Sequence, residues 1–133
     1  MMKQNIEMVI PTPVKFFSWV LIFAGSFFFY VYTFNPALSF ATASLETYSA
    51  KIGFASAGVR ILGSVLAIII SVVANKPRWL FITLISRIFI ELADVVVGLV
   101  FDGVTANTFA LIILAGLEIW AVLTLWKVIK TNP

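Results

Sequence analysis

The chain has 133 residues, 62% of them hydrophobic and 11% charged, with a formal charge of +3 and neither His nor Cys. Soluble globular chains run near about half apolar and a quarter charged, so this composition, with a mean hydropathy of +1.09, describes one integral membrane domain. The missing residue types exclude disulfides, thiol redox chemistry, haem ligation by His or Cys and the usual zinc sites. The basic residues sit at segment ends and not among polar aromatics, which excludes a nucleic-acid footprint.

Met1–Pro13 is a short polar lead, and Pro13 suits the start of a helix, where a missing N–H is no loss. Val14–Phe34 is almost wholly apolar and long enough to cross a hydrocarbon core of about 30 Å. Trp19 lies near one end and Tyr30 and Tyr32 near the other, as interfacial belts require. Ala41–Thr42–Ala43 matches a signal-peptide cleavage pattern, but the apolar run before it is too long and Asn35–Pro36 intervenes. Residues 35–52 form the longest connection, ended on one side by Asn-Pro; Leu38, Phe40, Leu45 and Tyr48 give it an imperfect interfacial-helix pattern.

Gly53–Ala74 is the second expected span. It carries one charge, Arg60, on a face shared with Gly53, Ser56, Ala57, Gly63, Ser64 and Ala67. Small residues of this kind let a neighbouring backbone approach closely, and Arg60 is expected to point into protein. Asn75–Lys76–Pro77 turns the chain into a third span, Arg78–Phe101, with Arg87, Glu91 and Asp94 near its middle. At about 100° per residue these three fall within roughly 60° of one another, together with Thr83 and Gly98. Asp102–Gly103 closes that span. Thr105–Trp126 forms the fourth, with Glu118 on a face with Leu111, Leu114, Ala115, Ala121 and Leu125.

Short connections make spans two, three and four antiparallel neighbours. Lys3, Lys15, Lys76, Arg78, Lys127 and Lys130 fall on one side of the membrane and Lys51 on the other, which places both termini in the cytoplasm. The expected fold is therefore an all-α membrane protein, a four-transmembrane-helix antiparallel bundle spanning 14–34, 53–74, 78–101 and 105–126.

Each ionisable group at mid-bilayer costs on the order of 2.5–3.5 kcal/mol, so the charged faces must meet protein or a wet cavity. Counted from the outer ends of the spans, Arg60 and Asp94 both lie about 10 Å deep, Arg87 and Glu118 about 20 Å, and Glu91 about 15 Å. Two interhelical pairs follow, Arg60–Asp94 and Arg87–Glu118, leaving Glu91 as the odd carboxylate or as a partner of Arg87 one turn away. Two arginines against three acids leave a formal −1; burial favours protonation of a lone carboxylate and the arginines oppose it. The cluster can fix the register of the bundle, or line a ligand pocket or proton path.

The run Gly58–Val59–Arg60–Ile61–Leu62–Gly63 resembles the G-x-R-x-x-G signature of the second span in DoxX-like small membrane proteins and related uncharacterised four-helix families. Arg87 and Asp94 resemble the R-x(6)-D element of their third span. The resemblance covers about Lys51–Val100. It implies a four-helix membrane fold in a bacterial inner (plasma) membrane, mostly without assigned activity, some relatives being subunits of quinone-linked oxidoreductases or of complexes handling oxidative stress. Gly58, Arg60, Gly63, Arg87 and Asp94 are the matching positions; Glu91 and Glu118 have no counterpart in the pattern.

Three functions compete. The first is a non-catalytic subunit, or a partner- or ligand-binding module, requiring no cofactor or metal and meeting the lipid bilayer, a membrane partner subunit or a second copy of itself. The second is a proton-coupled small-molecule transporter that uses Glu91, although no inverted repeat or broken helix of the kind carriers use is visible. The third is an oxidoreductase subunit for a quinone or another lipid-soluble molecule, for which Trp120 and the acids and arginines could bind a polar ring. No nucleophile–base constellation marks a catalytic residue.

Overall fold

The computed structural model describes residues 8–39 and 44–132, and within them the chain is all-helical. Four long helices follow one another: α1 (Thr12–Phe34), α2 (Tyr48–Val73), α3 (Pro77–Phe101) and α4 (Ala106–Thr131). A single 3₁₀ turn, Pro36–Leu38, follows α1. Of the four, α1, α2 and α4 are long and apolar enough to cross a membrane, and the protein is a multi-pass integral membrane protein. At about 1.5 Å per residue α3 also reaches the required length, but its central charges set it apart.

The helix ends follow local chemistry. Pro11 precedes α1 and Pro13 sits in its first turn; Asn35 closes it through a backbone bond to Val31 O, and Pro36 forbids continuation. Thr47 caps α2 by accepting from the Ala50 N–H at 3.2 Å. This moves the start of α2 to Tyr48, five residues before the expected Gly53, and shortens the connection. The interfacial-helix pattern does not form as a unit: Leu38 ends a 3₁₀ turn, Tyr48 opens α2, and Phe40 and the Ala41–Thr42–Ala43 pattern lie outside the described residues. Thr105 and Thr108 cap α4 reciprocally. Gly103, with φ of 72°, makes the left-handed turn from α3. The fourth helix also runs beyond Trp126, to Thr131.

Sequential helices are antiparallel, as paired residues show. Gly25 faces Val65 and Gly58 faces Thr33 between α1 and α2. Arg60 meets Asp94 between α2 and α3, and Phe81 stacks on Trp126 between α3 and α4. Phe17 meets Trp120 edge-on, bringing α1 against α4. One end of the molecule therefore carries the first residues of α1, the turn at residues 74–76 and the end of α4. The opposite end carries the end of α1, the start of α2 and the connection at 102–105. These are called below the termini end and the loop end.

The two ends are built differently. The main core gathers at the termini end, where Val14, Leu21, Ile68, Leu80, Leu84 and Leu125 are completely or almost completely buried. The outward faces are apolar too: Phe23, Val59, Ile82, Val96 and Ile113 are all well exposed, a surface suited to lipid tails and not to water. Hydroxyls on the helices return to their own backbone, with Ser18, Ser26 and Ser71 donating to carbonyls four residues earlier. Such bonds satisfy polar groups where no water is at hand.

Two expected features change. The small-residue face around Arg60 meets α3 through Arg60 and Ser64, but its glycines bring no backbone close, since added methyls at Gly53 and Gly63 would meet open space. Close approach occurs instead at Gly25, against Val65, and at Gly58, against Thr33. Tyr32, grouped with the belt residues by the sequence, sets its ring against Phe28 and Phe54 and lines both cavities described below.

At the termini end, Asn75 occupies the left-handed region with φ of 50°, where Asn is among the best-tolerated residues after Gly. Its Oδ1 accepts the Ile10 N–H at 3.1 Å, tying the lead segment to the α2–α3 turn. Asn75→Gly, which keeps the left-handed backbone without strain, is expected to cost about 1 kcal/mol by loss of that bond. A detergent-solubilised melting curve would register this, and an unchanged midpoint would show that the tether contributes nothing.

Candidate functional site

The five intramembrane charges expected from the sequence are brought together in two groups. Arg60 on α2 places Nη2 3.0 Å from Asp94 Oδ1 and 3.1 Å from Oδ2 on α3. Deeper, Arg87 binds three helices at once. Its Nε donates to Glu118 Oε1 on α4 at 2.7 Å, its Nη1 to Ser64 Oγ on α2 at 2.8 Å, and its Nη2 to Glu91 Oε1 one turn along α3 at 2.6 Å. Both expected interhelical pairs thus form, and Glu91 becomes the third member of the inner group.

Burial separates the groups. The side chains of Arg60 and Asp94 are 49% and 41% exposed, whereas those of Arg87, Glu91 and Glu118 are 12%, 8% and 0% exposed. The inner group is the electrostatic centre of the molecule, because charge-assisted bonds are strongest where water is excluded. The outer pair is not packed into protein as expected for Arg60. It lines open space, and contributes correspondingly little to holding the helices.

That open space has two parts. An inner cavity of about 90 Å³ is lined by Phe28, Tyr32, Arg60, Arg87, Glu91 and Asp94, with aliphatic side chains from all four helices completing the wall. A wider cavity of about 650 Å³ lies toward the loop end, bordered by Ser39, Asp102 and Thr105 among others. Tyr32, Arg60, Asp94, Asn107 and Leu111 border both, so the outer pair stands at the junction. Glu118 lies behind the inner wall, completely buried.

The family-like positions divide by role. Gly58 permits the α1–α2 contact, Gly63 is exposed, and Arg60, Arg87 and Asp94 carry the charges. Sequence reasoning missed Ser64 as a partner of Arg87, having classed it with the small residues. It also missed Tyr32, Asn107 and Asp102 as lining residues. Asn107, an amide just ahead of the apolar run of α4, was the available signal. No group of three or more His, Cys, Asp or Glu able to hold a metal occurs among the described residues.

No family model, curated protein or solved structure matches the chain.

Proposed function

We propose that this is a small membrane protein of the DoxX-like type that acts by binding, as a ligand-binding module or non-catalytic subunit, and not by catalysis. In this reading α3 is the fourth span, its charges neutralised by its neighbours. The bundle sits in a bacterial inner (plasma) membrane with both termini cytoplasmic, and the loop end faces outward. The observation that carries the reading is the division of the charge cluster. A buried group ties α2, α3 and α4 together, while a half-exposed pair stands with Glu91 on a cavity whose remaining walls are mostly apolar. Pockets with few convergent polar groups on an apolar surface are the usual form of small-molecule sites.

Native mass spectrometry of the protein released gently from its own membrane tests this. A retained small molecule or partner subunit, lost in Arg60→Gln and Asp94→Asn, is the expected result. A bare chain from every preparation, unchanged by those variants, would contradict it.

Glu91 favours a second reading, proton-coupled transport, because it lines the cavity with Oε2 buried and unpartnered. Substrate-dependent pH change in proteoliposomes that disappears in Glu91→Gln would support this alternative; flux indifferent to that change would remove Glu91 from it.

A further inference from the structure

The identity of the ligand can be narrowed, on the reading that the cavity binds one, from the donors and charges around it. All three nitrogens of Arg87 are engaged, by Glu118, Ser64 and Glu91. Yet Glu91 and Glu118 each retain a buried Oε2 that no N–H or hydroxyl donor of the described residues reaches. Glu91 is the one that lines the cavity, its side chain 8% exposed. The floor thus sets two carboxylates against one guanidinium, and the remaining N–H groups of Arg87 reach neither free oxygen. The approach has the same bias: among the described residues Arg60 is the one cation of the wider cavity, against Asp94 and Asp102, and no lysine lines either space. Acids in excess along a low-dielectric passage raise the local concentration of cations.

The walls define the rest of the ligand. Leu21, Phe28, Ile61, Ile90, Leu111 and Leu114 surround the charged groups, which suits an apolar body and offers an aromatic face to a cation. A divalent metal would need about six oxygen ligands, and no such set of acids exists among the described residues. An aminolipid headgroup would bring a phosphate, and with it a second negative charge, to a floor where carboxylates already outnumber the guanidinium. We propose that the inner cavity binds a free organic monocation, an amine with a compact apolar body, whose ammonium group donates to Glu91.

Isothermal titration of the full chain in detergent, with empty micelles subtracted, tests this with three probes small enough for the inner cavity: propylamine, propan-1-ol and propionate at neutral pH. Propylamine, a cation there, is expected to bind saturably at one per chain and at least about tenfold more tightly than the other two, with the preference lost in Glu91→Gln. Equal binding of all three, or tighter binding of propionate, would overturn the cation assignment and leave the cavity as a ligand site. Binding of none of them would overturn both readings. If Glu91→Gln does not fold, alkylation of an Asn107→Cys variant decides instead: propylamine must slow it and propionate must not, and equal protection by both, or by neither, refutes the assignment.

Discussion

Arg87→Leu is expected to destabilise the protein by about 3–5 kcal/mol, because it leaves two carboxylates buried without their shared cation. The three bonds lost are those to Glu118, Ser64 and Glu91, and they join three helices. The comparison that gives this meaning is Arg60→Leu, which is expected to cost about 1 kcal/mol or less, since that side chain is half exposed. Adding Glu91→Gln and Glu118→Gln to Arg87→Leu is expected to restore much of the loss, because an uncharged group of similar shape does not need the arginine. Melting curves of the purified variants measure all three. Equal, small losses for Arg87→Leu and Arg60→Leu would show that burial does not govern the cost.

Gly25→Leu is expected to cost about 1–3 kcal/mol by overpacking the α1–α2 contact. Even a first methyl at Gly25 would run into the Cγ2 of Val65, and Val65 is a β-branched core residue with one strongly preferred rotamer in a helix. The gap cannot open without parting the helices. Substituting Val65→Ala in the same chain is expected to recover part of the loss by making room. Gly63→Leu serves as the control, because open space lies beyond Gly63, and it is expected to have little effect. A Gly25→Leu variant as stable as the parent would mean that α1 and α2 do not depend on this approach.

Much of the architecture was legible because the membrane simplifies the sequence signal. Long apolar runs, prolines at helix starts and lysines at segment ends locate the helices to within a few residues. Depth along each helix then matched Arg60 with Asp94 and Arg87 with Glu118, since antiparallel neighbours place residues at corresponding heights. The errors have equally local causes. Thr47 caps α2, a signal hidden inside a polar connection, so α2 was expected to begin too late. The small residues around Arg60 are compatible with either a tight contact or a cavity wall, and periodicity alone does not distinguish them. Gly25 and Gly58 make the contacts because of how α1 is rotated, which depends on tertiary packing. The role of Ser64 was hidden for the same reason: a hydroxyl facing a guanidinium is known only once two helices are placed side by side.

The most direct measurement is thiol accessibility, for which the chain, having no native cysteine, needs no background removal. Single cysteines would replace Gly98 and Asn107, which border the cavities, and Ile82 and Ile113, which lie on the outward apolar surface. Each would be treated in sealed vesicles of known orientation with a membrane-impermeant thiol reagent. Gly98→Cys and Asn107→Cys are expected to react from the face opposite the termini, and Ile82→Cys and Ile113→Cys to stay unreactive from either. Protection of the two cavity positions from both faces, or reaction only from the face that carries the termini, would contradict a cavity opening at the loop end.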